Sequence, residues 1–92
     1  MKYKKERLFL QVLHPLLLKD LLSFTFWNEN EKQLIKYMYL ENKSIDNIVA
    51  NKLMPYERSW LFEIYKNGLF KLKKWLENTE KIEYKRIFKN LI

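Results

Sequence analysis

SIDNIVANKLMPYERSWLFEIYKNGLFKLKKWL, residues 44–76, is the stretch whose reading decides the fold. Ile45, Ile48, Val49 and Leu53 recur at helical spacing behind Ser44, which can accept from the free amides of a first turn, and Asp46 sits where the helix dipole favours an acid. The short helix they predict ends at Met54-Pro55. Pro55 fits the first position of a second helix, because its missing N–H is not needed there. That second helix runs to about Leu76. At about 100° per residue, Leu61, Ile64, Tyr65, Gly68, Leu72, Trp75 and Leu76 gather on one side, while Glu63, Lys66, Phe70, Lys73 and Lys74 face away. Gly68 lies on the apolar side. Glycine costs about 1 kcal/mol against alanine inside a helix, so it either admits the close approach of another helix or is simply tolerated.

Outward from this stretch the same periodicity repeats. Leu8, Phe9, Val12 and Leu13 predict a first helix from Lys4, stopped or kinked at His14 by Pro15. Leu16, Leu17, Leu18, Leu21 and Leu22 predict a largely buried continuation, and Phe24, Phe26 and Trp27 an aromatic corner of the core. Asn28 is a natural cap for a further helix, with Glu29 and Glu31 in its first turn and Leu34, Ile35, Met38 and Tyr39 as its stripe. Beyond Thr79, a last helix over about 80–90 alternates Ile82, Ile87, Phe88 and Leu91 with Lys81, Lys85, Arg86 and Lys89. The expectation is one all-α domain over 1–92, a compact bundle of five or six short helices. Breaks belong near His14-Pro15, Asn28, Ser44, Met54-Pro55 and Thr79. Leu17, Leu21, Trp27, Ile35, Ile48, Leu53, Leu61, Tyr65, Leu72 and Trp75 should be its buried cluster.

Composition narrows the function. With 92 residues and 48% hydrophobic content the chain supports a single core, and 1 Gly and 2 Pro leave little material for hairpins. There is no Cys, which removes disulfides and thiolate metal sites, and the sole His, His14, cannot assemble a metal site alone. No metal and no cofactor are expected, and the protein should be cytoplasmic. The opening MKYKKERLFLQVLHPLLL imitates a signal peptide, but Gln11, His14 and Pro15 interrupt it and no small-residue cleavage site follows. No window of about 20 residues is free of charges and breakers, so no membrane span is expected. An enzyme is not expected either: no nucleophile with its base, no convergent carboxylates and no phosphate-cradling glycine loop are present.

The net charge of +7 points to an anionic partner. Residues 1–27 hold 5 basic and 2 acidic side chains, 28–55 hold 4 and 4, and 56–92 hold 9 and 5, so the positive charge sits at the two ends. Two helices across a short turn, the second one basic, are the outline of a helix-turn-helix that reads double-stranded DNA. In that outline the exposed start of the second helix enters the major groove. Tyr56, Glu57, Arg58 and Ser59 stand there: Arg58 can offer a bidentate pair to guanine, Tyr56 or Ser59 can bond phosphate, and Glu57 can accept from cytosine or merely favour a helix N-terminus. Lys52, Lys66, Lys73 and Lys74 are the expected phosphate anchors.

The segment resembles the helix-turn-helix of bacterial sigma factor region 4, and more closely that of phage-encoded regulators of the ArpU and RinA type. Ser44, Ile45, Ile48 and Val49 match the T/S-x-x-E-I-A-like start of the supporting helix, and Gly68, Leu69 and Leu72 match the A-L-x-x-L pattern that continues the recognition helix. The aromatic-rich middle around Trp60 and Tyr65 also looks like the phage regulators. Pro55 and Tyr56 stand where those families place a Ser or Thr cap. The resemblance covers about a third of the chain and implies a phage transcription regulator, with RNA polymerase as a possible partner. The other reading is a small helical protein-interaction module whose basic faces are only solvated. In it, Phe62 and Phe70, on the polar side of the long helix, are covered by the terminal helices or by a second subunit in a homodimer.

Overall fold

Asn28 and Glu31 hold the start of a helix between them: the Asn28 side chain accepts from the Glu31 amide and the Glu31 carboxylate accepts from the Asn28 amide, both at 2.9 Å. This reciprocal cap satisfies two amides that a helix start otherwise leaves without partners. Ser44 does half of the same for the next helix, accepting from the Asn47 amide at 3.0 Å. His14 uses its ring, whose Nδ1 accepts from the Leu16 amide at 3.1 Å ahead of Pro15. The lone histidine is thus a helix cap.

The computed structural model describes residues 2–91. Along them run α1 (Lys4–Val12), α2 (Pro15–Leu22), α3 (Glu29–Ile35), a π-helical turn (Lys36–Leu40), α4 (Ile45–Ala50), α5 (Arg58–Asn78) and α6 (Ile82–Lys89), with no strand among the described residues. The all-α bundle is as expected. None of these helices is long and apolar enough to cross a membrane. The breaks at 14–15, 28, 44 and 79 fall where capping and proline place them.

The break between α4 and α5 is wider than Met54-Pro55 implies, spanning seven residues, 51–57. Lys52 takes a left-handed conformation, φ 51°, and the Leu53 amide reaches back to the Ile48 carbonyl while the Lys52 amide reaches that of Val49. That paired closure stops a helix, so α4 ends at Ala50 and Leu53 lies outside it. Met54 then turns into the core, 4% exposed, and Pro55 and Tyr56 carry the chain across to Glu57, the residue before α5. The long helix therefore starts at Arg58, not near Tyr56.

α5 is the beam of the bundle. Its apolar side, Leu61, Ile64, Tyr65, Gly68, Leu69, Leu72 and Leu76, is buried against α1, α3, α4 and α6. The closest register is with α3. The Trp27 indole donates to the Gly68 carbonyl at 2.8 Å, and Lys71 Nζ donates to the buried Glu31 carboxylate at 2.9 Å. A Cβ on residue 68 would stand 3.6 Å from the Trp27 indole nitrogen and 3.8 Å from the Glu31 side chain. The glycine faces an approaching element, and an alanine would meet it at ordinary contact distance.

The expected aromatic corner forms and draws in residues from the far end of the chain. Phe26 stacks on Trp75 at 5.0 Å, Phe24 lies 5.4 Å from Trp75, and Tyr84 sits edge-on to Phe24 and Trp75. Three stripes are placed differently from the sequence reading. In α1 the buried side is Glu6, Phe9 and Leu10, continued by Leu13 just after the helix, and Val12 is exposed. In α2 only Leu18 and Leu21 are buried, and Leu16 is exposed. In α6 the anchor is Tyr84, 0% exposed, whereas Ile82 points outward. Leu17, Leu53 and Trp75 are half-buried; the other seven expected core residues are buried.

Candidate nucleic-acid interface

The first turn of α5 stands clear of the bundle: Glu57, Arg58, Ser59 and Trp60 are all exposed. The seven-residue crossing buries Met54 and leads into this exposed turn, which stays tied to α4 through Arg58 and Asp46. Arg58 is not idle. Its Nε donates to Asp46 Oδ1 at 2.6 Å, and its guanidinium lies 5.0 Å from the centre of the Phe62 ring. Both partners of the ion pair are largely in water, with side chains 61% and 73% exposed. Such a pair is worth about 0 to 1 kcal/mol, less than the roughly 1 to 3 kcal/mol of a bidentate contact to guanine, so it positions Arg58 without locking it.

Beyond Arg58, Ser59, Lys66 and Lys73 recur every seven residues and share one exposed stripe, with Phe62 and Phe70 between them. Lys66 pairs with Glu63 at 3.3 Å. Lys73 has no ion pair among the described residues, and Lys74, to one side, lies 3.9 Å from Glu77 and 5.6 Å from the Phe70 ring centre. Arg58 and Lys73 are about 22 Å apart along the axis at 1.5 Å per residue, more than the roughly 12 Å width of a major groove.

Tyr56, Glu57 and Lys52 are placed before α5. Tyr56 is half-buried and its hydroxyl accepts from Asn30 Nδ2 at 2.9 Å, which ties the crossing to the start of α3 and leaves the hydroxyl proton to donate. Glu57 makes no side-chain cap hydrogen bond. Lys52 is exposed at the left-handed corner that ends α4. No family model, curated protein or solved structure matches the chain.

Three cations of the basic N-terminal end, whose position the sequence does not give, lie beside α5. Lys2 and Arg7 border a hollow shared with Lys66, and Lys5 borders a groove shared with Lys85 and Lys89 next to Leu76 and Phe88. Lys5 Nζ is 4.5 Å from the centre of the Phe88 ring. The two basic ends of the chain thus meet on one flank of α5. Sequence shows that both ends are basic; that they meet depends on Phe9 packing against Phe88 and Tyr84. No group of three or more metal-ligating side chains occurs among the described residues.

Proposed function

We propose that the protein binds double-stranded DNA as a transcription regulator, of the phage ArpU and RinA kind that residues 44–76 resemble, with the segment from Arg58 to Lys66 as its reader. The observation that carries this is the exposed first turn of α5, continued by the stripe of Ser59, Lys66 and Lys73. A reader needs both parts, because phosphate contacts position a protein on the duplex and base contacts specify the sequence. Arg58 takes the base-reading role. Lys52, Lys66, Lys73 and Lys74 take the phosphates, and the flank of Lys5, Lys85 and Lys89 adds affinity without sequence preference. Tyr56 donates its free proton to a phosphate or serves only the crossing, and Glu57 faces either cytosine or the positive helix end.

Gel shifts on selected and random duplexes at several salt concentrations test this. Arg58→Ala should weaken binding to the preferred site by about 1 to 3 kcal/mol and leave random DNA nearly unchanged, while Lys66→Ala should weaken both and flatten the salt slope by about one unit. Binding to every duplex no tighter than that of an unrelated protein of equal charge would overturn the proposal.

A second reading rests on Trp60, Phe62 and Phe70, which are 56%, 43% and 47% exposed and which the terminal helices do not cover. A protein face, either RNA polymerase or a second copy of the chain, would use those rings. Sedimentation that shows a dimer lost in Phe70→Ala, together with no preference for any duplex, would favour it.

A further inference from the structure

Between the start of α1 and the first half of α5 lies a hollow of about 310 Å³. Its apolar surface comes from Tyr3, Phe62 and the buried Leu69, and Lys2, Arg7 and Lys66 stand around it. Tyr3, just ahead of α1, is held there with φ 64°, a conformation that costs a residue with a Cβ some backbone strain. Behind the hollow, Tyr65 shares a 2.5 Å hydrogen bond with Tyr39, whose hydroxyl also lies beside Arg7. The back wall is thereby set by side chains that hold one another. The acid at the edge, Glu63, is engaged with Lys66 in a pair that is more than half exposed and therefore weak.

We propose that this hollow is a binding site for a small organic anion with a flat apolar body, of the aromatic carboxylate or sulfonate class. Its size is at the lower end of ligand cavities, about 300 to 1,000 Å³, and its mostly apolar lining with a few convergent charged groups is the usual composition of such sites. A neutral apolar ligand would take water from the exposed Lys2 and Lys66 and return nothing for it. A bare polyanion would meet the cations and leave Phe62 and Leu69 unused. An aromatic anion satisfies both halves. This site does not depend on the DNA-binding proposal, although Lys66 belongs to both.

The test uses the whole chain and two fluorescent probes, 8-anilinonaphthalene-1-sulfonate and its neutral counterpart N-phenyl-1-naphthylamine, with thermal melts run in parallel. The sulfonate should bind one saturable site, and the neutral probe should bind at least about tenfold more weakly. Phe62→Ala and Lys66→Gln should each weaken the sulfonate about tenfold at unchanged melting temperature, because both side chains are exposed. Phe70→Ala, on the same helix stripe but outside the hollow, should leave it unchanged. Absence of saturable binding, equal affinity for the neutral probe, or equal loss in Phe70→Ala and Phe62→Ala would overturn the proposal, and none of these readings involves DNA.

Discussion

At the scale of single residues, several side chains serve the backbone before any partner. Lys52 was expected to anchor phosphate, and it also occupies the left-handed corner that glycine fills at many helix ends. The two roles separate in one variant. Lys52→Gly removes the charge and relieves the conformation, so it should raise stability by about 0.5 to 1 kcal/mol in urea unfolding. If Lys52 also anchors a phosphate, the same variant should bind duplex DNA more weakly. Lower stability in Lys52→Gly would contradict the reading of the corner. His14 gives a similar lesson: its ring caps α2, a role that composition alone does not reveal.

At the scale of elements, the contact between α3 and α5 decides how the beam is seated. Glu31 does two jobs from one carboxylate oxygen, capping its own helix and accepting from Lys71 across the interface. Gly68 sits beside it, with ordinary contact distance to spare. Gly68→Ala should therefore keep the seating and gain helix propensity, raising stability by about 0.5 to 1 kcal/mol, whereas Gly68→Val should force Trp27 from the Gly68 carbonyl and lower it. Destabilisation by alanine in a thermal or urea melt would mean that a Cβ on residue 68 meets the Trp27 indole or the Glu31 side chain more tightly than 3.6 and 3.8 Å. The capping motifs of α3 and α4 were legible because they are local. The start of α5 was not, because the burial of Met54 places the crossing and a tertiary contact decides it.

At the scale of the whole molecule, two tyrosines link distant segments. Burial, and then the hydrogen bond shared with Tyr65, push the Tyr39 hydroxyl above the ordinary tyrosine range. Burial, and then the hydrogen bond to Asp20, do the same for Tyr84. In the unfolded chain both ionise near the usual value of about 10. Their contribution to stability is therefore fully present below about pH 10 and is lost as the pH rises further, by up to roughly 1.4 kcal/mol per unit for each tyrosine. Tyrosinate absorbance followed together with helical circular dichroism should show these two rings ionising only as the helices melt. Complete, reversible ionisation of every tyrosine in a helical chain would contradict their burial.

By itself the sequence determined the all-α class and four of the five breaks, because helix periodicity, proline and capping side chains act within a few residues of where they are written. It also located the apolar side of α5, since a helix of 21 residues averages over local exceptions. Only the tertiary structure decided the rest. Which leucines of α2 are buried, that Tyr84 and not Ile82 anchors α6, and that Lys2 and Arg7 come beside Lys66 all depend on which faces meet. The physical reason is range: a cap or a proline acts on its own turn, while a hollow or a basic flank is made by side chains that sequence keeps some sixty to eighty residues apart and that only packing of the apolar faces brings together.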